Sequence, residues 1–231
     1  GTAKAYSGSV NTDAGFSIIK YVGNQAAGHT IPHHLGAVPR MLIVKRLDPD
    51  ASAWHVYNGS LGATKRLSLN TADAEDSDST AWNNTTPTSS VFTVGDSGTT
   101  NVNNANTIAY CYAEKQGFSK FATYVGNGNA NGPFVYTGFK PAFLMIKKSN
   151  ASENWYMVDN KRNPFNIVND FIKANEANAG NTTSGTFNFF SNGFKNTASG
   201  GGQNESNHIY TYMAFAENPF VASNFNAATA R

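Results

Sequence analysis

The feature that most constrains the fold is an internal repeat. The tetrapeptide YVGN occurs at Tyr21–Asn24 and again at Tyr124–Asn127, 103 positions later (124 − 21 = 103). Three further stretches recur in the same order at nearly the same offset: GAVPRMLIVKR with GFKPAFLMIKK, AWHVYN with NWYMVD, and AYCYAE with YMAFAE. Self-similarity at one fixed period indicates a duplicated structural unit. We therefore predict two domains, at residues 15–116 and 117–220, with residues 1–14 and 221–231 as terminal extensions.

Within each copy the hydrophobic period is two, which indicates β-strands. In MLIVK, Met41 and Ile43 lie opposite Leu42 and Val44, so both faces are apolar, as in a central strand covered on both sides. Clusters of Gly, Asn and Pro separate the strand candidates. The predicted fold class is all-β: two tandem, pseudo-equivalent antiparallel β-sandwich units of the lectin or jelly-roll type. We expect them to be closely packed, because the Lys115-Gln116 junction is too short for a flexible linker. The one helical candidate is a single turn within residues 168–179.

Composition narrows the classes of partner. Charged residues make up 14% of the chain and the net charge is +2, with no basic stripe interleaved with aromatics, so we expect no nucleic-acid partner. No apolar run approaches the roughly 18 residues of a membrane helix, so we expect no membrane insertion. The abrupt opening GTAK suggests a piece cut from a longer polypeptide. The single cysteine, Cys111, is expected to be a buried small hydrophobe, and no intrachain disulfide is possible.

Metal and cofactor sites are not predicted. Adjacent residues of a strand point to opposite faces, so His33 and His34 cannot both join His29 around one ion, and two ligands fall short of a typical zinc site. The acidic run DAEDSD lacks the glycine and terminal glutamate of an EF-hand, which favours a solvated loop. Neither a G-x-S-x-G elbow nor a phosphate-binding G-x-x-x-x-G-K-[ST] loop is present, so the chain is predicted not to be an enzyme.

Aromatic and amide side chains suggest carbohydrate binding, because flat rings pack on sugar C–H patches while polar groups bind hydroxyls. Trp82 lies in the polar stretch AWNNTTP and has no counterpart in the other copy, so we predict an exposed platform there. Trp54 and Trp155 occupy equivalent positions in the two copies, and we therefore predict that they are structural residues of the core.

A second group of candidate ligand residues follows the strand NWYMVD: Asp159, Lys161, Arg162 and Asn163. The arginine fork hydrogen-bonds vicinal hydroxyls or sugar carboxylates well. The alternative is that Asp159 and Arg162 pair with each other and fix the loop.

The ordered motifs YVGNGNANGPFVYTGFKPAFLMIKK, NWYMVDNKRNPF, FFSNGFK and YMAFAENPF resemble a repeat domain of tail-fibre and other structural proteins of tailed phages, especially marine ones. The first copy, with HHLGAVPRMLIVKR and NNANTIAYCYAE, resembles the paired upstream module. The resemblance implies a lectin-like, concanavalin-type β-sandwich in the virion. It further implies adhesion to host-surface carbohydrate, contact with other virion proteins, and the homotrimeric assembly common to tail fibres. It supplies no catalytic motif.

Three functions remain open at this point. The first is a non-enzymatic receptor-binding module that adheres to host glycan. The second is a structural spacer or a capsid or fibre decoration domain without its own ligand. The third is a polysaccharide depolymerase, since two carboxylates from distant positions, such as Asp159 with Glu176 or Asp170, can form a glycosidase pair.

Overall fold

Antiparallel β-strands form nearly all the regular structure of the chain. The computed structural model describes residues 4–48, 52–180 and 187–218. Contacts divide the chain into two units at the Glu114–Lys115 junction, and Ala72–Ala74 group with the second unit. The predicted all-β class is confirmed.

Unit 1 is built on a seven-stranded sheet and a two-stranded sheet. Their strand orders are β1-β2-β9-β4-β5-β6-β7 and β3-β8, and every pair is antiparallel. The strands are β1 (Tyr6–Asn11), β2 (Phe16–Val22), β3 (His29–Pro32), β4 (Pro39–Arg46), β5 (His55–Asn58), β6 (Lys65–Ser68), β7 (Asp76–Ser77), β8 (Val91–Val94) and β9 (Asn106–Ala113).

Small side chains on one face of β9 let the two sheets of unit 1 approach closely. Ala109 and Cys111 are fully buried in one cluster with Ile31 of β3 and Phe92 of β8. The ring of Phe92 meets that of Tyr21 edge-on, with the centroids 6.1 Å apart. This packing of sheet on sheet is the sandwich arrangement. The expectation of a buried cysteine is confirmed, and burial raises the pKa of the Cys111 thiol to about 12.

Unit 2 is built on a five-stranded sheet and a three-stranded sheet, again antiparallel throughout. Their strand orders are β10-β17-β12-β13-β14 and β11-β16-β15. The strands are β10 (Ser119–Val125), β11 (Phe134–Tyr136), β12 (Pro141–Lys148), β13 (Trp155–Asp159), β14 (Phe171–Lys173), β15 (Phe187–Phe190), β16 (Gly193–Asn196) and β17 (Ile209–Ala216), with one short helix, α1 (Gly201–Asn204). Edge-to-face contacts of Phe194 with Tyr124 and Tyr212 join the two sheets.

The two copies of the sequence repeat have the same core topology. The order β2-β9-β4-β5-β6 of unit 1 corresponds strand by strand to β10-β17-β12-β13-β14 of unit 2, and β3-β8 corresponds to β11-β16. Both copies also carry a register shift at the start of the equivalent strands β4 and β12. Within the described residues, β1 and β7 occur only in unit 1 and β15 only in unit 2. These additions make the two copies unequal.

The helical turn expected within residues 168–179 is wrong. Phe171–Lys173 instead forms β14, which pairs with β13, and Phe171 packs in the core against Tyr156 with ring centroids 5.1 Å apart. A short helix is marginal by itself, so burial of Phe171 on a sheet edge outweighs the local helical pattern. The predicted extension 1–14 likewise contains regular structure, since β1 pairs with β2 along six residues.

Candidate functional site

One buried amide fixes the loop that follows YVGN in unit 1. The side chain of Asn101 is fully buried, and its Nδ2 donates to Asn24 Oδ1 (3.1 Å), to the carbonyl of Ala26 (3.0 Å) and to that of Gly95 (2.6 Å). Its Oδ1 accepts the backbone N–H of Asn24 (2.9 Å). Because buried polar groups need partners, this amide holds the loop in one conformation.

The same arrangement recurs in unit 2. Asn204 is fully buried, donates to Asn127 Oδ1 (3.0 Å) and to the carbonyls of Asn129 (2.9 Å) and Ala198 (2.7 Å), and accepts the N–H of Asn127 (2.9 Å). We call Asn101 and Asn204 the hub asparagines. The asparagine of each YVGN is thus a partner of a hub.

The tyrosine and glycine of YVGN have structural roles as well. Tyr21 and Tyr124 each donate a hydroxyl hydrogen bond to the carbonyl of the residue before a hub, Thr100 or Gln203. A Cβ on Gly23 would lie 2.1 Å from the carbonyl oxygen of Val102, and one on Gly126 2.3 Å from that of Glu205, so only glycine fits. YVGN is repeated because its tyrosine, glycine and asparagine build the loop.

Exposed aromatic side chains cluster on the outer face of the three-stranded sheet of unit 2. Tyr136 and Phe190 lie on either side of Gly193 in the strand register, and they are 66% and 40% exposed. Phe134 is 48% exposed, and its ring centroid lies 6.0 Å from that of Phe190. We call Phe134, Tyr136, Phe190 and Gly193 the aromatic face. Monomeric proteins rarely leave several neighbouring rings in solvent without a binding role.

Gly193 keeps the centre of the aromatic face shallow. A Cβ there would meet the carbonyl oxygen of Val135 at 2.2 Å and the ring of Phe134 at 3.0 Å. Polar side chains lie beside the rings. Lys195 of β16 is paired with Phe134 on one neighbouring strand and with Asn188 on the other. Lys195 Nζ also hydrogen-bonds Asn131 Oδ1 in the loop held by the hub. The face therefore combines flat apolar rings with ammonium and amide groups that can form hydrogen bonds.

The predicted ligand residues of the loop after β13 form hydrogen bonds and ion pairs within the protein. Asp159 Oδ1 accepts the N–H groups of Lys161 and Arg162 (2.9 Å each), and its Oδ2 lies 3.1 Å from Arg162 Nε. Lys161 pairs with Glu217. Asn163 Oδ1 accepts the N–H of Asp170 (2.7 Å). The alternative of local pairing therefore describes Asp159 and Arg162 in this structure.

The loop fixed in this way borders the aromatic face. Asn166 makes two hydrogen bonds to the backbone of Phe189, next to Phe190: Nδ2 donates to its carbonyl (3.0 Å) and Oδ1 accepts its N–H (2.9 Å). On either side of Asn166, Phe165 is 83% exposed and Ile167 is exposed as well. Asp159, Arg162 and Asn163 therefore support a loop whose apolar tip adjoins the sheet of the aromatic face.

The prediction that Trp82 is an exposed platform is wrong. Trp82 is 1% exposed, meets Tyr57 edge-on at 5.8 Å, and donates its indole N–H to the carbonyl of Lys65 (3.1 Å). The reason is the turn before it: Asp78 Oδ1 accepts the N–H groups of Thr80 (2.8 Å) and Ala81 (3.2 Å), and the chain turns inward there. Its polar sequence neighbours remain outside while the ring fills the core.

The other two tryptophans differ from each other despite their equivalent positions. Trp155 is buried, as predicted. Trp54 is only half-buried, and its ring stacks on Tyr110 with centroids 6.3 Å apart. Each backbone N–H is bonded to an asparagine side chain, Asn70 or Asn175, so the shared feature is the strand start and not the depth of burial.

Acidic groups among the described residues form no metal site, and the pKa of Glu176, one member of the possible glycosidase pair, is lowered. No group of three or more His, Cys, Asp or Glu side chains in residues 4–48, 52–180 and 187–218 could hold a metal ion. Hydrogen bonds from Lys173 and Asn178 lower the pKa of Glu176, the opposite of what a general acid needs. The described part of the chain contains no helix long and apolar enough to cross a membrane.

Comparison with known proteins identifies one family. Its model matches residues 3–219 and is described as a domain of unknown function, DUF7483. The chain belongs to the DUF7483 family. No curated protein and no solved structure matches it. The DUF7483 match spans both units.

Sequence reasoning missed Phe134, Tyr136 and Phe190, although the repeat carries a signal for two of them. The residues flanking the buried Val135 are Phe134 and Tyr136, whereas those flanking the equivalent Ile31 of the first copy are Thr30 and Pro32. Aromatic rings that replace small residues at exposed positions of one copy indicate a role specific to that copy. Phe190 lies on β15, which has no counterpart among the described strands of unit 1.

Proposed function

We propose that this DUF7483 chain is a non-enzymatic adhesion module that binds host-surface glycan through the aromatic face of unit 2. The observation that carries the proposal is the set of three exposed rings around Gly193, with Lys195 opposite Phe134 and with the loop that Asn166 ties to Phe189. Sugar rings present C–H patches that pack on aromatic faces, and the neighbouring ammonium and amide groups hydrogen-bond the hydroxyls. The resemblance to tail-fibre repeat domains agrees with a virion location for such a module.

Rigidity supports binding with little loss of entropy. The rings stand on hydrogen-bonded strands, and the side-chain amides of Asn166 and of the buried Asn204 fix the adjoining loops by hydrogen bonds. A preorganised platform loses little conformational freedom when a ligand binds, which raises affinity. The same face also fits the spacer function if it contacts another virion protein instead of a sugar, so the experiment must distinguish the two.

The experiment is a glycan array of bacterial lipopolysaccharide and capsular oligosaccharides, probed with the wild-type chain and with Tyr136→Ala and Phe190→Ala variants. We expect binding to a defined set of glycans and at least about a tenfold loss in either variant, equivalent to about 1.4 kcal/mol. Val125→Ala is the matched control, because Val125 is an exposed apolar residue of β10 outside the aromatic face.

The competing functions give different results. A silent array, with the chain instead binding a virion protein through Tyr136, would replace adhesion with the spacer function. Release of reducing ends from a polysaccharide that binds would establish a depolymerase.

A further inference from the structure

Unit 1 contains a cleft beside β3, the strand that corresponds to β11 of unit 2. The side chains that line this cleft differ in chemistry from those of the aromatic face. The cleft has a volume of about 460 Å³ and lies between β1, the end of β2, the loop after YVGN and β3. Ligand sites typically have volumes of about 300–1,000 Å³, so it is large enough for a small molecule. Its formation depends on β1, for which unit 2 has no counterpart among its described strands.

The lining of the cleft is basic. Lys4 and His29 line it, and no aspartate or glutamate is among the lining residues. Lys4 Nζ donates to the amide oxygen of Asn104 (2.8 Å), which is a neutral partner, and it forms no ion pair with any residue that the structure describes. Among the described residues no carboxylate neutralises this ammonium charge, which attracts an anion.

The hub asparagine of unit 1 orients His29. Asn101 Nδ2 donates to three acceptors, so Oδ1 is the atom 3.1 Å from His29 Nδ1. An amide oxygen only accepts, and Nδ1 therefore carries the hydrogen. Within the described residues Nε2 has no hydrogen-bond partner, which leaves it as the ring nitrogen that a ligand can use. The ring is further fixed edge-on against Tyr21, with centroids 6.3 Å apart.

Two tyrosines supply an apolar wall and floor. Tyr6 is partly exposed, and its hydroxyl donates to the carbonyl of Pro32 (2.9 Å), which holds the ring across the cleft. Tyr21 is buried beneath, with its hydroxyl bound to Thr100. The rings thus offer their apolar surfaces, while their hydroxyls are already engaged by the protein. A flat wall beside an unneutralised cation suits a sugar that carries a carboxylate.

We propose that the cleft of unit 1 binds an acidic monosaccharide residue, a hexuronate. Its carboxylate is held by Lys4, one of its hydroxyls donates to His29 Nε2, and its ring lies against Tyr6. The cleft is a second site. It lies beside β3, the strand of unit 1 that corresponds to β11 of the aromatic face, and it selects ligands that carry a negative charge. The proposal does not depend on the aromatic face, because no residue is shared between the two sites.

The test is a titration of the isotope-labelled full chain, followed by backbone amide NMR, with D-glucuronate, D-galacturonate, methyl glucoside and acetate. We expect at least one uronate to shift the amides of Asn24 and Thr30, with at least tenfold higher affinity than methyl glucoside or acetate. Lys4→Glu should abolish these shifts, while Lys20→Glu, which changes an exposed lysine outside the cleft, should not.

Several outcomes would overturn the proposal. Equal affinity for methyl glucoside would show that the carboxylate is not recognised, and equal affinity for acetate would show that the sugar ring is not. Absence of uronate shifts at the cleft up to millimolar concentration, or uronate binding unchanged in Lys4→Glu, would also refute it. Tyr136→Ala should leave the uronate shifts intact, so this result is independent of the fate of the aromatic face.

Discussion

A buried histidine should make unit 1 sensitive to acid. His55 lies on β5 between Val44 and Ser68 in the register, and it is 4% exposed. Neither ring nitrogen has a hydrogen-bond partner in the part of the chain that the structure describes. Burial and, to a smaller extent, the positive charge of Arg66 lower the pKa of His55 to about 4. The negative charges of Asp76 and Asp78 act in the opposite direction and raise it, but their effect is smaller.

The sign and size of the effect follow from linkage. The pKa of histidine in an unfolded chain is about 6.5, so between pH 6.5 and about 4 the unfolded chain binds a proton that the folded chain does not. The free energy of unfolding is then fully present above pH 6.5 and falls as the pH is lowered through this window. At 1.36 kcal/mol per pH unit, His55 alone accounts for a loss of about 3 kcal/mol.

The assay is urea denaturation at a series of pH values from 8 to 4, comparing the wild type with His55→Phe, which keeps a ring but cannot titrate. Tryptophan fluorescence follows unfolding, and the buried Trp82 is a reporter in unit 1. We expect the wild type to lose about 3 kcal/mol more than the variant between pH 6.5 and 4. Part of the slope should persist in the variant, because burial also lowers the pKa of His33. Parallel pH profiles for the two proteins would refute the reasoning.

Two further perturbations test the packing. Trp82→Ala should reduce the free energy of unfolding by about 3–5 kcal/mol, because it empties a core site. Under conditions in which the Trp82→Ala variant is fully folded, its glycan binding should equal that of the wild type. A binding defect in the folded variant would favour the prediction that Trp82 is a platform. Asn204→Ala should cost about 2–4 kcal/mol, since it leaves buried backbone groups without partners, and thermal unfolding measures this loss. The equivalent Asn101→Ala should have a similar cost, and a neutral result at both positions would contradict the hub role.

The sequence predicts the strands well because burial on both faces of a strand leaves a local pattern. Leu42 and Val44 pack on one face of β4, and Met41 and Ile43 are buried on the other, as the period of two in MLIVK indicates. The duplication is equally visible, since the motifs recur in fixed order. What the repeat could not reveal is the role of YVGN, because the hub asparagines lie 77 positions from the motif.

The candidate site was harder to predict because it depends on contacts between residues that lie far apart in the sequence. The side-chain direction of Trp82 is set by a turn at Asp78, and polar neighbours in the sequence give no sign of it. The sheet that brings Tyr136 next to Phe190 pairs strands more than fifty residues apart in the chain, through the intervening Gly193. Exposed β1 also escaped notice, since an edge strand with no buried residue has no hydrophobic period to detect.

The most direct test of glycan adhesion is aromatic-ring NMR of the labelled chain, titrated with the glycan that binds most strongly on the array. The account predicts that the ring signals of Phe134, Tyr136 and Phe190 shift together and saturate, while that of the buried Trp82 stays in place. Shifts confined to other parts of the chain, or an array on which no glycan binds, would contradict it.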